Sequence, residues 1–335
     1  MKILITGGLG FIGSNLCRYM ITNHPDHQIT NIDKISIGAN PASLQDLKKE
    51  KRYKFVKGDI LNAKLTDKLV KGADAVLNLA AETHVDRSIS NPAAYIQSNT
   101  VGTFTVLEAI RKHNKQARLI QVSTDEIYGE IPEGSFTEKD TPSPGNPYSA
   151  AKASADMFVQ AYHKTYNLNA SITRCTNNFG PYQFPEKLVP KTIIRALKNL
   201  QIPIYGTGKN IRDWLYVEDH CQAIDLVLQK GKLGEIYNIS SGNELANVEI
   251  VKKIFNLLGK KEDLISFVED RPGHDVRYSL DSSKLRSALG WKPRFTFEKA
   301  LQTTVNWYRD NEKWWKPLAT EENLSPTPWK TSDRK

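Results

Sequence analysis

Residues Ser123-Thr124-Asp125-Glu126-Ile127-Tyr128-Gly129 set two hydroxyls directly before two carboxyl groups. Neighbouring carboxyls in unlike surroundings can hold different protonation states, one donating a proton while the other takes one. Serine, threonine and aspartate are also common turn formers, so a solvated turn is the plain alternative. Downstream, Tyr148 and Lys152 bracket Ser149-Ala150-Ala151. On a helix that spacing puts phenol and ammonium on one face. A free phenol has a pKa of about 10 and is a poor base at neutral pH, and a neighbouring cation favours its ionised form. The spacing is common by chance and gains force only from what stands upstream of it.

The carboxyl pair follows an apolar run, Arg118-Leu119-Ile120-Gln121-Val122, which reads as a short buried strand. Ligands of open parallel α/β sheets bind at the C-terminal ends of such strands. The chain starts the same way: an apolar strand over 2–6, then Gly7-Gly8-Leu9-Gly10-Phe11-Ile12-Gly13, then a helix. In that order Gly7 makes the tight turn, Gly10 lets the backbone approach a pyrophosphate, and Gly13 lets helix pack on strand. The helix N-terminus then faces the phosphates. The glycines are spaced GxxGxxG rather than GxGxxG, and their weight comes from the strand and helix that flank them. A second strand, 28–32, ends at Asp33, twenty residues after Gly13. An acid there bonds ribose hydroxyls and repels a 2′-phosphate, which favours NAD over NADP, although Lys34 beside it works the other way.

A third strand, 53–57, leads into Gly58-Asp59-Ile60, where Asp59 either bonds the adenine or caps the next helix. A fourth, 73–81, ends in Leu79-Ala80-Ala81, residues small enough for a cofactor to lie close. His84 follows on the ligand side, and the structural and the ligand-binding readings of it are evenly balanced. Helices are expected over 99–113, from Tyr148 to about Tyr166, and over 217–230, 248–258 and 297–310. The unbroken β-α-β pattern predicts an α/β fold with a doubly wound parallel sheet of Rossmann type. Residues 130–147, rich in proline and glycine, read as a mobile loop over the site.

The 335 residues are 39% hydrophobic, which suits a soluble globular chain of one large domain or two. No apolar stretch reaches the length of a membrane span, and the N-terminus enters a fold at once instead of forming a secretory leader. Three widely spaced cysteines argue against a disulfide framework or a metal site and fit a reducing cytoplasm. The net charge of +9 does not come with any nucleic-acid-binding module; the basic run 48–54 reads as a solvated helix end. A small anionic ligand held by a few arginines is compatible with that charge.

Seven blocks carry a closer likeness: TGGLGFIGS at 6–14, AAETHVDRSI at 80–89, STDEIYG at 123–129, YSAAK at 148–152, RCTNNFGPYQFPEKLVP at 174–190, IRDWLYVEDHC at 211–221 and DRPGHD at 270–275. Over nearly its whole length the chain resembles the extended short-chain dehydrogenase/reductases, and among these the dTDP-glucose 4,6-dehydratase family. The resemblance implies an NAD-dependent lyase (a hydro-lyase) of deoxysugar biosynthesis, dimeric, with dTDP-glucose as substrate. Tyr148 is then the base at the sugar 4-hydroxyl, Lys152 holds the tyrosinate and a nicotinamide ribose hydroxyl, and Thr124 bonds the 4-oxygen. Glu126 removes the C5 proton, Asp125 protonates the departing C6 hydroxyl, and NAD is regenerated each turnover. Positions matching cofactor contacts are the glycine turn with Phe11 and Ile12, Asp33 with Lys34, Asp59 with Ile60, residues 79–81, Asn99 and Asn178. Positions matching substrate contacts are Thr83, His84, Asn177, Lys187 and Leu188; the run Pro203, Ile204 and Tyr205; and Arg212, Asn247, Arg271 and His274. Arginine suits a diphosphate because its planar fork can bond two oxygens at once.

The same likeness implies a nucleotide-binding part over 1–174 with a return at about 214–238. A smaller C-terminal substrate part then takes 175–213 and 239–335, with a loosely held polar tail from about 320. Helices starting near Asn99 and Tyr148 would pair with their copies in the dimer. Lys191 stands where members often carry an apolar residue, and Thr83 and Thr176 where serine is common. A 4-epimerase needs Thr124, Tyr148 and Lys152 but no acid–base pair. Nucleotide-sugar decarboxylases and GDP-mannose 4,6-dehydratases typically carry serine where Asp125 stands. A UDP-glucose 4,6-dehydratase is not separated by the motif, and the matched substrate blocks favour dTDP-glucose. A non-enzymatic NAD-binding protein would be expected to lose Tyr148, Lys152 or the carboxyl pair, and all are present.

Overall fold

Seven strands, β1 (Lys2–Thr6), β2 (Gln28–Asp33), β3 (Tyr53–Lys57), β4 (Ala75–Asn78), β5 (Arg118–Thr124), β6 (Ala170–Cys175) and β10 (Ile236–Ile239), form one sheet in the order β10-β6-β5-β4-β1-β2-β3. Every pairing in it is parallel. The computed structural model describes residues 1–328. The strands are short and apolar, and their alternate residues feed two cores, as a sheet covered on both faces requires. Ile3, Ile5, Leu77 and Ile120 pack with helices Phe11–Asn23, Val217–Lys230 and Phe297–Asp310. Leu4, Val76 and Leu119 pack with helices Ala63–Lys71, Gly102–His113 and Pro147–Tyr166 on the other face.

The chain winds outward from β1 to β3, then returns to β4 and winds the other way, so β1 and β4 flank the switch in strand order. The loops leaving these two strands meet there. The Thr6 hydroxyl donates to Asn78 (2.6 Å) and accepts from the backbone N–H groups of Leu79 (3.1 Å) and Ala80 (3.0 Å), while the Asn78 amide donates to Gln121 (2.7 Å). Gly7 has φ +70°, and a side chain on it would come within 2.8 Å of the Ala80 backbone.

Two smaller sheets lie outside the large one. β7 (Asn177–Phe179), β9 (Ile211–Tyr216) and β11 (Glu244–Ala246) form the first; β8 (Ile202–Tyr205) and β12 (Ile265–Val268) form the second. The returning helix Val217–Lys230 and β10 join the large sheet layer, whereas helix Asn247–Leu258 covers β8. Among the described residues no helix is long and apolar enough to cross a membrane, and no group of three or more acidic, His or Cys side chains could hold a metal ion. Cys17, Cys175 and Cys221 are free and buried.

Two expectations need correction. Residues 130–147 are pinned at several points and line neither cavity of the site. Arg277 donates to the carbonyls of Ile131 (3.1 Å) and Gly134 (2.9 Å), and the Phe136 ring stacks on Tyr128. The polar segment from 320 is also held: Leu324 and Ser325 are buried, and the Leu324 side chain belongs to the main core. The part of the expected tail beyond 328 lies outside the described residues.

Gly13 supplies the close approach its position predicts, since a Cβ there would collide with the Gly7 carbonyl and reach 2.8 Å from the Gly8 Cα. Alanine gains about 1 kcal/mol of helix propensity over glycine, but overpacking against fixed backbone costs typically about 1–3 kcal/mol. Gly13→Ala should therefore lower unfolding stability by up to about 2 kcal/mol in urea titrations; a stabilised variant would show that the turn has room.

Candidate active site

β5 ends at Thr124, so Asp125 and Glu126 emerge at the C-terminal edge of the sheet, in the single turn Asp125–Tyr128. Thr124 caps that turn, its hydroxyl accepting from the Glu126 N–H (3.4 Å) and donating to Asp125 Oδ1 (3.1 Å). Facing it, helix Pro147–Tyr166 begins with a capping box: Asn146 Oδ1 accepts from the Ser149 N–H (2.9 Å), and Ser149 Oγ accepts from the Asn146 N–H (3.1 Å). Such a cap contributes about 1 kcal/mol and fixes where the helix starts. Tyr148 is thereby held in the first turn, with Lys152 on the next. The Lys152 ammonium donates to the Val122 carbonyl (2.6 Å), which ties the helix to β5 just before Thr124.

Thr124, Asp125, Glu126, Tyr148 and Lys152 line one cavity of about 280 Å³. Gly7, Gly10, Phe11, Ile12 and Gly13 line it as well, and so do Asp33, Lys34, Asp59 and Ile60. The helix that follows the glycine turn has no side-chain cap, so its first N–H groups are left for an anion. A Cβ on Gly10 would approach only the Gly7 carbonyl, at 3.3 Å. The Asp33 carboxylate accepts from the N–H groups of Leu9 (3.0 Å) and Ile35 (2.7 Å), so it braces the turn and still carries free lone pairs. Lys34 is drawn to Glu82 (3.0 Å) and the Ser98 hydroxyl (2.8 Å). Asp59 caps no helix, since Asn62 caps the next one; its carboxylate closes a turn on the Leu61 N–H (3.0 Å). Leu79, Ala80, Ala81 and Asn178 also line this cavity, and it has the extent and the donor set a dinucleotide needs.

Asn99 stands apart. Its amide is spent on the Glu82 backbone, accepting from the N–H (2.8 Å) and donating to the carbonyl (3.0 Å), and it does not reach the cavity. It lies in a π-helical turn, Ile96–Val101, between helices Pro92–Tyr95 and Gly102–His113. The residue from that turn that does line the cavity is Ser98.

A second cavity, of about 160 Å³, adjoins the first; His84, Glu126, Asn177, Glu186 and Lys187 line both. Thr83 lines the first only. Leu188, Pro203, Ile204, Tyr205, Arg212, Asn247, Arg271 and His274 line the second. Arg271 pairs with Asp86 (2.8 Å), which also accepts from the Tyr205 hydroxyl (3.2 Å). Arg212 donates to the carbonyls of Ile211 (2.7 Å) and Asp275 (2.8 Å) and lies 4.2 Å over the Tyr278 ring. Lys187 donates to the Thr83 carbonyl (3.1 Å). Among the residues lining the two cavities, Asp125 Oδ2, Glu126 Oε2, Asn177 Oδ1 and Arg271 Nε are buried polar atoms without a hydrogen-bond partner.

Burial pushes Asp125 up to about 8, with the neighbouring Glu126 charge adding to it. Burial also raises Glu126, but Arg271, Lys187 and Arg212 pull it back. Tyr148 stands well above an ordinary phenol because of burial and the Glu126 charge, and burial lowers Lys152 while Asp156 opposes the shift. His84 is pushed well below its usual range by burial and by Lys187, and is neutral at pH 7. Glu186, Arg87 and Asp86 went unpredicted. Arg87 clamps Glu186 (3.1 Å), but no local pattern ties the neighbours Asp86 and Arg87 to a glutamate 99 positions beyond Arg87.

A doubly wound sheet with a glycine turn after β1, and a threonine, tyrosine and lysine converging after β5, defines an extended short-chain dehydrogenase/reductase. The chain belongs to the family described as GDP-mannose 4,6 dehydratase, whose model matches residues 4–304. It is 45% identical over 332 residues to a dTDP-glucose 4,6-dehydratase of Streptomyces niveus, covering 98% of each chain. Among solved structures it is similar to the dTDP-glucose 4,6-dehydratase of Bacillus anthracis in complex with NAD (TM-score 0.89, 46% identity, 95% of this chain and 99% of that one). The enzyme of the same name from Streptomyces venezuelae, with NAD and TYD bound, gives a TM-score of 0.93 at 42% identity, over 95% and 100% of the two chains.

Because the Glu126 charge helps to hold Asp125 near 8, Glu126→Gln should lower the Asp125 midpoint while burial keeps it above the usual carboxylate range. Carboxyl-stretch infrared titration reads this directly, and an unmoved midpoint would mean the two groups do not interact.

Proposed function

We propose that the chain is an NAD-dependent dTDP-glucose 4,6-dehydratase, converting dTDP-glucose to dTDP-4-keto-6-deoxyglucose with loss of water. One observation carries the reading: an acid–base pair of carboxyls lines the first cavity together with Tyr148 and Lys152, and its Glu126 lines the second cavity as well. An epimerase has no use for that pair. Aspartate at 125 distinguishes the site from the serine typical of GDP-mannose 4,6-dehydratases, and the full-length likeness to enzymes named for dTDP-glucose supports the nucleotide.

The glycine turn, Asp33 and residues 79–81 would hold NAD in the first cavity, and the cofactor when bound would supply the redox chemistry, accepting hydride from C4 of the sugar and giving it back at C6. Tyr148 removes the proton of the 4-hydroxyl. The Lys152 ammonium, one helical turn further on, offsets the burial that keeps the phenol protonated. Thr124 bonds the 4-oxygen. The ketone at C4 acidifies the C5 proton, and Glu126 takes it; three nearby cations keep that carboxyl the more readily ionised of the two. Asp125, protonated at neutral pH, gives its proton to the C6 oxygen as the C–O bond breaks and water leaves. The substrate diphosphate is met by Arg212, Arg271 and Lys187 in the second cavity.

The enzyme works as a cytoplasmic homodimer. Phe104, Met157 and Phe158 stand exposed on helices Gly102–His113 and Pro147–Tyr166, and Phe104 and Phe158 meet edge to face at 6.1 Å. An exposed apolar face of this kind suits a self-complementary interface, and three buried free cysteines suit a reducing compartment. Light scattering should give twice the 37.8 kDa chain mass; a stable monomer would refute the pairing.

A panel of dTDP-, UDP-, CDP- and GDP-glucose, with products identified by mass, should show loss of one water from dTDP-glucose at the highest kcat/KM. Faster turnover of UDP-glucose would reassign the nucleotide. Because Asp125 must be protonated, kcat should fall as pH rises through about 8. Glu126→Gln should still oxidise C4 but stop exchange of the C5 hydrogen with solvent, and undiminished exchange would remove the glutamate from its role.

A further inference from the structure

The charges lining the second cavity do not balance. Lys187, Arg212, Arg271 and Lys191 bring four cations against the three carboxyls of Asp86, Glu126 and Glu186. His274 adds no charge at neutral pH, because burial and the two arginines hold it near 4. Without Lys191 the lining would be neutral. The Lys191 side chain comes from helix Leu188–Leu197 and is only 5% exposed. Burial lowers its pKa to about 8, while Asp86 and Glu186 support its charge, so it remains largely an ammonium at pH 7. An ammonium kept out of water is costly unless something uses it.

Its position is set from an unexpected quarter. The Lys191 ammonium donates to the Ser325 carbonyl (3.1 Å), and Arg195, one turn further along the helix, donates to the Leu324 carbonyl (2.8 Å). Arg87, which lines the first cavity and clamps Glu186, reaches Glu322 (3.2 Å) and the Asn323 amide oxygen (3.3 Å). Residues 320–327 are therefore a strap fastened to cations from two separate helices. A single carbonyl partner leaves the Lys191 ammonium with further donors to offer.

We propose that Lys191, held by the strap 320–327, is a further substrate-positioning cation, supplying the surplus positive charge with which the second cavity receives the anionic diphosphate of a nucleotide sugar. The inference rests on the reading of the chain as a nucleotide-sugar enzyme. Lys191 touches no reacting atom in this scheme and acts on binding.

The test compares Lys191→Met, which keeps length and removes charge, with Lys191→Arg, which keeps the charge. Lys191→Met should raise KM for dTDP-glucose and Kd for dTDP about five- to tenfold, with kcat within about twofold and bound NAD unchanged; Lys191→Arg should restore most of the affinity. In the unaltered protein, dTDP should slow amide hydrogen exchange in 320–327. Unchanged KM and Kd in Lys191→Met, or a loss of kcat alone, would overturn the assignment. If Lys191→Met does not fold, the exchange measurement decides, and exchange unaffected by dTDP rejects it. Failure of the unaltered protein to dehydrate dTDP-glucose is seen before any variant is made and sinks the functional reading; the charge assignment is then judged on dTDP affinity alone.

Discussion

Two carboxyls on consecutive residues line one cavity, burial raises the pKa of both, and much of the surrounding structure answers to that fact. Such groups cannot both ionise without compensation, and leaving both neutral would deprive the site of a base. The compensation is uneven. Arg271, Lys187 and Arg212 act on Glu126, whereas Asp125 is answered first by the Thr124 hydroxyl and only then by Arg212. Asymmetry divides acid from base. The cations that create it are themselves held, Arg271 by Asp86, Lys187 by the Thr83 carbonyl and Arg212 by the carbonyls of Ile211 and Asp275.

Beneath the pair lies a second polar cluster with no opening to either cavity. Arg174, opposite Ser123 in the β5–β6 register, pairs with Asp156 (3.0 Å) and donates to the Tyr128 hydroxyl (2.6 Å). Asp156 sits one helical turn beyond Lys152, and Tyr128 closes the turn that carries the carboxyls. Breaking one partner of such a buried pair leaves an uncompensated charge, which typically costs about 3–5 kcal/mol. Strand end, helix and carboxyl turn are thus locked as one unit, which suits a reaction in which several proton transfers must find their atoms without rearrangement.

The chemistry was legible wherever it depended on local spacing. The glycine turn, Asp33 at the end of β2 and the tyrosine–lysine pair on one helix face are all patterns within a single element or its immediate neighbour, and the structure brings them to one cavity. Matching by position alone was weaker, as Asn99 shows: the residue is where the likeness puts it, yet its amide is consumed by the Glu82 backbone. Contacts between distant segments left no trace in the sequence. Asp86 and Arg271 are separated by 185 positions, and neither carries a mark of the other. Composition misled for 130–147 and for 320–327, because polar, proline-containing chain looks loose. What holds both segments is largely main-chain carbonyls accepting from arginine and lysine, and a carbonyl is present at every residue whatever its type.

The order of strands in the large sheet bears on how the protein is made. β6 has no outer neighbour until β10 arrives, and between them the chain must first pass through β7, β8 and β9, which belong to other sheets. A ribosome that has released everything up to β6 has therefore produced at most a six-stranded sheet with its β6 edge open. Long-range parallel pairing is slow, and an unpaired edge invites another chain to occupy it. The interval between the emergence of β6 and that of β10 is the period in which the nascent chain most needs shielding from its own copies on neighbouring ribosomes.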